Sequence, residues 1–137
     1  MSVVERSLNK IMYVEDDPDI RAIAELALQD VGGFTAALCS SGKEALELAP
    51  GFAPDLIILD VMMPEMDGPQ TLNGLRCLPE TRLTPVVFMT ARIQNSEIAE
   101  YLALGAIGVI PKPFDPMTLA DDIRRLVKEQ ASGSSVC

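Results

Sequence analysis

The sequence predicts a doubly wound α/β sandwich built on a five-stranded parallel sheet, and two observations predict it. Short apolar runs alternate with helical patterns from one end of the chain to the other. Three of those runs are nearly unbroken hydrophobic stretches, as strands of a parallel sheet are when helices cover both faces.

Five runs are read as strands: Lys10–Val14, Phe34–Cys39, Asp55–Leu59, Pro85–Met89 and Ile107–Ile110. The helices between them carry recognisable ends. Asp17-Pro18 offers an N-cap followed by a proline at the first helical position. Ile20, Ile23, Ala24, Ala27 and Val31 then recur on one face, and Gly32-Gly33 closes this first helix. Ser41 to Glu44 has the spacing of a capping box for the second helix. Asp67-Gly68 opens the third, and Asn95 or Ser96 the fourth, which Gly105 ends. Asp115-Pro116 repeats the cap-plus-proline signal before a fifth helix whose Leu119, Ile123, Leu126 and Val127 face inward. The domain is expected over residues 8–130, with 131–137 a small, polar, flexible tail and no output domain after it.

The bulk properties exclude several functions. The 137 residues suit one domain, and such a chain buries roughly two-thirds of its unfolded surface without a disulfide or metal staple. The longest apolar stretch, Leu102–Ile110, is too short and too rich in glycine to cross a bilayer. The N-terminus MSVVERSLNK lacks a hydrophobic signal core. Three cysteines, Cys39, Cys77 and Cys137, are odd in number and show no CxxC spacing, which reads as free thiols in a reducing, cytoplasmic setting. Cys39 and Cys77 are expected as small core residues. A net charge of −9 repels phosphate backbones and disfavours direct nucleic-acid binding. The chain has no histidine, which excludes Ser-His and Cys-His nucleophile chemistry and histidine metal ligation.

Right-handed crossovers put the C-terminal ends of all the strands along one edge of the sheet, where ligands bind in folds of this class. The first strand ends in Glu15-Asp16, the third in Asp60, the fourth in Thr90-Ala91, and the fifth runs into Lys112. The second ends in Cys39-Ser40-Ser41 and offers nothing comparable. Converging carboxylates repel: one like-charge pair at about 4 Å costs on the order of 4 kcal/mol at an intermediate dielectric. Such a cluster persists when carboxylates protonate or a cation is held. Oxygen ligands alone suit a hard cation, Mg²⁺ first, then Mn²⁺ or Ca²⁺. With Lys112 as a point charge and Thr90 as a hydroxyl donor, the chemistry indicated is phosphoryl transfer.

Asp60 is the candidate nucleophile. A carboxylate is already ionised at neutral pH and needs no general base. Pro64 ends the strand, and Gly68 permits a tight return that presents Asp60 outward. Taken singly, Asp60 reads as a turn residue, Glu15-Asp16-Asp17 as helix-capping acids, Thr90 as a strand-end hydroxyl and Lys112 as a solvated charge. Met62-Met63 reads as packing. Only their joint placement at one edge carries a function.

The segments YVEDDP, LIILDVMMPEMDG, VVFMTA and GAIGVIPKPF, in this order, resemble the receiver domain of two-component response regulators from about Ile11 to Leu126. The resemblance implies a CheY-like, flavodoxin-like sheet with strand order 2-1-3-4-5. It makes Asp60 the phospho-acceptor, charged by a sensor histidine kinase or phosphotransfer protein. Glu15, Asp16, Asp60 and the backbone carbonyl of Met62 become the Mg²⁺ ligands, Mn²⁺ being the alternative ion. Thr90 would hydrogen-bond the aspartyl phosphate and Lys112 would pair with it, beside a Lys112–Pro113 peptide that is usually cis. Water would later remove the phosphoryl group, so the domain is a switch with weak self-dephosphorylating activity. Output is expected through a downstream protein on the face built from the fourth helix, fifth strand and fifth helix, which also serves as a surface for a homodimer.

One position departs from that pattern: the family usually carries an aromatic residue three positions before the lysine, and here it is Val109. Met62 and Arg92 flank the mouth, and the reading is that this long cation and apolar side chain hinder attacking water and lengthen the phosphorylated state. Two enzymes are poor alternatives. A haloacid-dehalogenase-type phosphatase wants a second acid two residues after the nucleophile, where Met62 stands, and a nucleotide-binding Rossmann domain wants a glycine-rich loop after the first strand. The rival reading is a phosphorylation-independent adaptor, which Val109 favours and the complete set of site groups opposes.

Overall fold

Side chains along a strand alternate between the two faces of the sheet, so each apolar run in this sequence contributes to two separate cores. The computed structural model describes residues 8–91 and 94–134. Strands β1 (Lys10–Val14), β2 (Thr35–Cys39), β3 (Leu56–Asp60), β4 (Val86–Thr90) and β5 (Gly108–Pro111) form one parallel sheet. Its order is β2-β1-β3-β4-β5, as the resemblance implies. Helices α1 (Pro18–Glu25), α2 (Gly42–Phe52), α3 (Gly68–Arg76), α4 (Asn95–Ala103) and α5 (Leu119–Ser134) cover both faces. On one face Met12, Val14, Ile57, Leu59, Val86 and Phe88 pack against α2, α3 and α4 through Ala45, Ala49, Leu72, Leu75 and Tyr101. On the other, Ile11, Tyr13, Ile58, Val87, Met89 and Ile110 meet Ala24, Ala27 and Leu28 from the α1 side and Leu119 and Ile123 from α5.

Most helix ends follow their sequence signals. The Asp17 carboxylate accepts from the N–H groups of Asp19 and Ile20 with Pro18 in the first turn, and Asp67 and Gln70 form a reciprocal capping box. At α2 the box is only half made. Ser41 accepts from the Glu44 N–H, but the Glu44 carboxylate turns to the N–H and hydroxyl of Ser40 instead. The cap position of α4 is Gln94, without a side-chain bond, rather than Asn95 or Ser96. Asp115 does cap a turn, its carboxylate accepting from Met117 N–H, while regular helix starts at Leu119 and runs through Ser134, past Gln130.

Three burial expectations are corrected. After Glu25 the first helix winds on as a π-helical segment, Leu26–Val31. That wider turn brings Leu28 to the core beside Ala24 and Ala27 and turns Val31 out, while Ile23, in the α-helical turn before it, is exposed as well. Gly33, at φ 77°, then ends the segment in the left-handed region that glycine favours. Cys77 is exposed because it occupies the C-cap of α3, where the chain turns away, whereas Cys39 is buried. Met62 is 67% exposed, so of the methionine pair only Met63 packs. Arg124 ties α5 to the turn before β2, donating to Gly32 O at 2.5 Å with its guanidinium 4.5 Å above the Phe34 ring.

Leu59 is fully buried between Val14 and Phe88 in register. Replacing it with alanine is expected to lower stability by about 2–5 kcal/mol in urea unfolding; a loss below about 1 kcal/mol would contradict the packing described.

Candidate functional site

The carboxyl edge of the sheet assembles the site through strand parity. Tyr13 and Glu15 share a face, as do Ile58 and Asp60, and Ile110 and Lys112, and all three series belong to the α1–α5 side. Thr90 follows Val86 and Phe88 and has the parity of the opposite face. Asp60 and Thr90 are themselves the last residues of β3 and β4, each strand running one residue further than its apolar run. Glu15 prolongs β1, its N–H donating to Cys39 O at 3.0 Å, and Lys112 prolongs β5, its N–H donating to Thr90 O at 2.9 Å.

The side chains converge there. Lys112 Nζ lies 3.1 Å from Glu15 Oε1 and 3.2 Å from Asp60 Oδ2. Glu15, Asp60 and Thr90 are buried, and Asp16 is exposed. Carboxylate oxygens of Glu15, Asp16 and Asp60 lie within 4.8 Å of one another. The Met62 N–H donates to Asp60 Oδ1 at 3.3 Å, which puts the Met62 backbone against the carboxylate. The Lys112–Pro113 peptide is cis. Every site residue singled out in the sequence therefore lies at this edge, except Arg92, which is outside the described residues. Asp17 stands apart as a helix cap.

Gly68 holds the loop after Asp60 close to the strand. Its N–H donates to Val61 O at 2.9 Å, and a Cβ there would come within 2.8 Å of Asp60 O and 3.1 Å of the Phe88 ring. The left-handed residue of that return is Glu65, at φ 68°, not Gly68. The glycine is needed for clearance rather than for backbone freedom.

Two contributors were not singled out in the sequence. Arg21 Nη1 donates to Glu15 O at 2.7 Å and so anchors the turn that carries the acidic pair. Tyr13 is buried directly beneath the site. Arg21 belongs to no local motif and Tyr13 opens the YVEDDP segment without a role assigned to it; the helical spacing that brings Arg21 back from α1 and the parity that places Tyr13 under Glu15 are the signals that could have found them.

Electrostatics give this edge its character. Burial first, then the hydrogen bond and charge of Asp60, push the Glu15 carboxyl up to about 7, with Lys112 opposing. Burial works against the Lys112 ammonium, yet the hydrogen bond to Glu15 and the charges of Asp60 and Glu15 outweigh it and raise its pKa. Burial and the same two carboxylates hold the Tyr13 phenol protonated far above its ordinary range. Three carboxylate side chains share this edge with a single ammonium. The donor set is all oxygen and fits a hard divalent cation, whose charge would oppose the Glu15 shift. Beside the site, Ile20, Ile23, Ala91, Lys112, Pro113 and Phe114 line an apolar groove of about 320 Å³.

Comparison with known proteins agrees with this geometry. The sequence profile described as the response regulator receiver domain matches residues 11–124. Response regulator Rre1 of Synechocystis sp. (strain ATCC 27184 / PCC 6803 / Kazusa) is 34% identical over 124 residues, covering 90% of this chain and 54% of that protein. Transcriptional regulatory protein CpxR of Escherichia coli (strain K12) is 36% identical over 121 residues, covering 88% and 50%. Among solved structures, chemotaxis protein CheY4 of Vibrio cholerae matches with a TM-score of 0.81 at 32% identity, over 88% of this chain and 99% of that one. The chain spans about half the length of the curated relatives it matches.

An acid whose folded pKa lies above its unfolded value binds more protons folded than unfolded, so stability falls as pH rises between the two values. Without divalent cations, stability measured in urea is therefore expected to decline from about pH 4.5 to about pH 7 and then to lose this dependence. Glu15→Gln should flatten the decline; an unchanged slope in that variant would show that Glu15 is not its source.

Proposed function

The chain belongs to the response regulator receiver domain family, and on that premise we propose that it is a phosphorylation-dependent switch whose Asp60 accepts a phosphoryl group from a histidine kinase or phosphotransfer protein. Receiver domains are signalling modules of two-component systems rather than enzymes in their own right. The observation that carries the assignment to Asp60 is the Lys112 ammonium between Asp60 and Glu15 at 3.2 and 3.1 Å. Glu15 shares the burial, the lysine partner and a strand's carboxyl end; Asp60 differs in being the last residue of the central strand β3, its Oδ1 accepting from the Met62 N–H.

An Asp60 oxygen attacks phosphorus as the bond from phosphorus to the donor nitrogen breaks; the nitrogen keeps the electron pair, and an acyl phosphate forms. Bound through Glu15, Asp16, Asp60 and the Met62 carbonyl, Mg²⁺ would supply positive charge to the phosphoryl oxygens. Lys112 exchanges its carboxylate partners for a phosphoryl oxygen, and Thr90 donates its hydroxyl to another. Burial of Asp60 limits water, so hydrolysis is slow and the domain dephosphorylates itself only weakly. Met62, which is exposed, lengthens that lifetime further, and Arg92 is assigned the same role from the sequence.

The donor has to reach Asp60 from the open side. The apolar groove between α1 and Pro113-Phe114 adjoins that opening, and Ile23 and Leu26 extend its apolar surface outward. This is the docking surface for the phosphodonor. Readout belongs to the face of α4, β5 and α5, where Leu102 stands exposed, either to a downstream protein or to a second copy of the chain. The adaptor reading rests on Val109, which pairs with Phe88 in register and is packed against the core.

Acetyl phosphate with Mg²⁺ should give a single phosphoryl adduct by intact mass and none in Asp60→Asn; an equal adduct in that variant would move the acceptor elsewhere, and no adduct in the native chain would favour the adaptor. Ile23→Glu should slow transfer from a phosphorylated phosphotransfer protein about tenfold or more while leaving acetyl phosphate labelling unchanged; equal slowing of both would remove the groove from docking. Replacing Met62 and Arg92 together by small polar residues should shorten the phosphate half-life, and an unchanged half-life ends that role.

A further inference from the structure

Tyr13 is 1% exposed, and its hydroxyl reaches Met89 Sδ at 3.2 Å. A thioether is a weak acceptor, so a phenol buried on it is poorly compensated where phenylalanine would fill the same space. The contact crosses the sheet. Tyr13 pairs with Ile58 of β3, while Met89 belongs to β4 and is the register partner of Asp60. Met89 O also accepts from Val61 N–H at 3.0 Å, the bond that fixes the chain just after the acceptor. The Tyr13 ring meets Phe114 edge-on, with centroids 6.4 Å apart and planes at 64°, and Phe114 lies two residues beyond Lys112 in the same loop.

One side chain therefore touches the neighbour of Asp60 on β4 and the loop that carries Lys112, and stands two residues before Glu15 on β1. We infer that Tyr13 is a positioning residue that sets the spacing of the phosphoryl pocket, its hydroxyl holding β4 through Met89 and its ring holding the Lys112 loop through Phe114. The inference rests on the acceptor role of Asp60. Tyr13 touches neither the phosphoryl group nor a metal; it limits how far the strand ends drift when Lys112 leaves its carboxylate partners.

The test uses beryllofluoride with Mg²⁺ as a mimic of the phosphoryl group, its affinity measured on fully folded native protein, Tyr13→Phe, Met89→Leu and the double variant. Both single changes nearly preserve volume and remove the O–H···S contact. Each is expected to weaken beryllofluoride binding about threefold or more, with the double variant no weaker than either single one. A general loss of packing would instead lower the urea midpoint without changing the affinity of the folded protein. Unchanged affinity in Tyr13→Phe, or losses that multiply in the double variant, overturns the inference while the acceptor role stands. Failure of the native protein to bind beryllofluoride at all overturns both.

Discussion

The ammonium of Lys112 held between Glu15 and Asp60 is the constraint on which the site depends. Two buried carboxylates so close would otherwise drive one another towards the protonated state, and Glu15 already lies well above its usual range. The lysine lowers that repulsion only in part. The pocket is thus left short of positive charge and suited to a ligand that brings it.

That constraint holds because the sheet is parallel. Only with β1, β3, β4 and β5 running the same way do Glu15, Asp60, Thr90 and Lys112, spread over most of the chain, come to one edge. Position two residues past a buried side chain of the same face then directs Glu15, Asp60 and Lys112 to a common side. The apolar interior of β1, β3 and β4 fixes the register, and the register fixes the chemistry.

Much of this was legible in the residues. The apolar runs and the Asp17-Pro18 and Asp67-Gly68 signals are local, and local signals survive folding. What was not legible depended on the third dimension. The π-helical winding of Leu26–Val31 rotates Val31 out of the face that a regular helix would give it. Cys77 is apolar in sequence context yet sits where α3 ends. Glu44 satisfies Ser40 rather than completing its box, because that neighbour offers two donors. The Arg21 bond to Glu15 O and the Tyr13 contact with Met89 join residues that only spacing and strand parity hint at in the sequence. Gly68 was legible as a turn residue but not for its true reason, which is the space left by Asp60 O and Phe88.

The division of the interior into two cores has a consequence for how a switch of this kind is used. The groove beside Pro113 and Phe114 opens on the α1 layer, whereas Thr90 has the parity of the α2–α3–α4 layer. The sheet stands between them as a partition. Of the two helices α4 and α5, only α4 is walled off from that groove, because α5 packs on the same side of the sheet as α1; a donor seated against α1 leaves α4 uncovered.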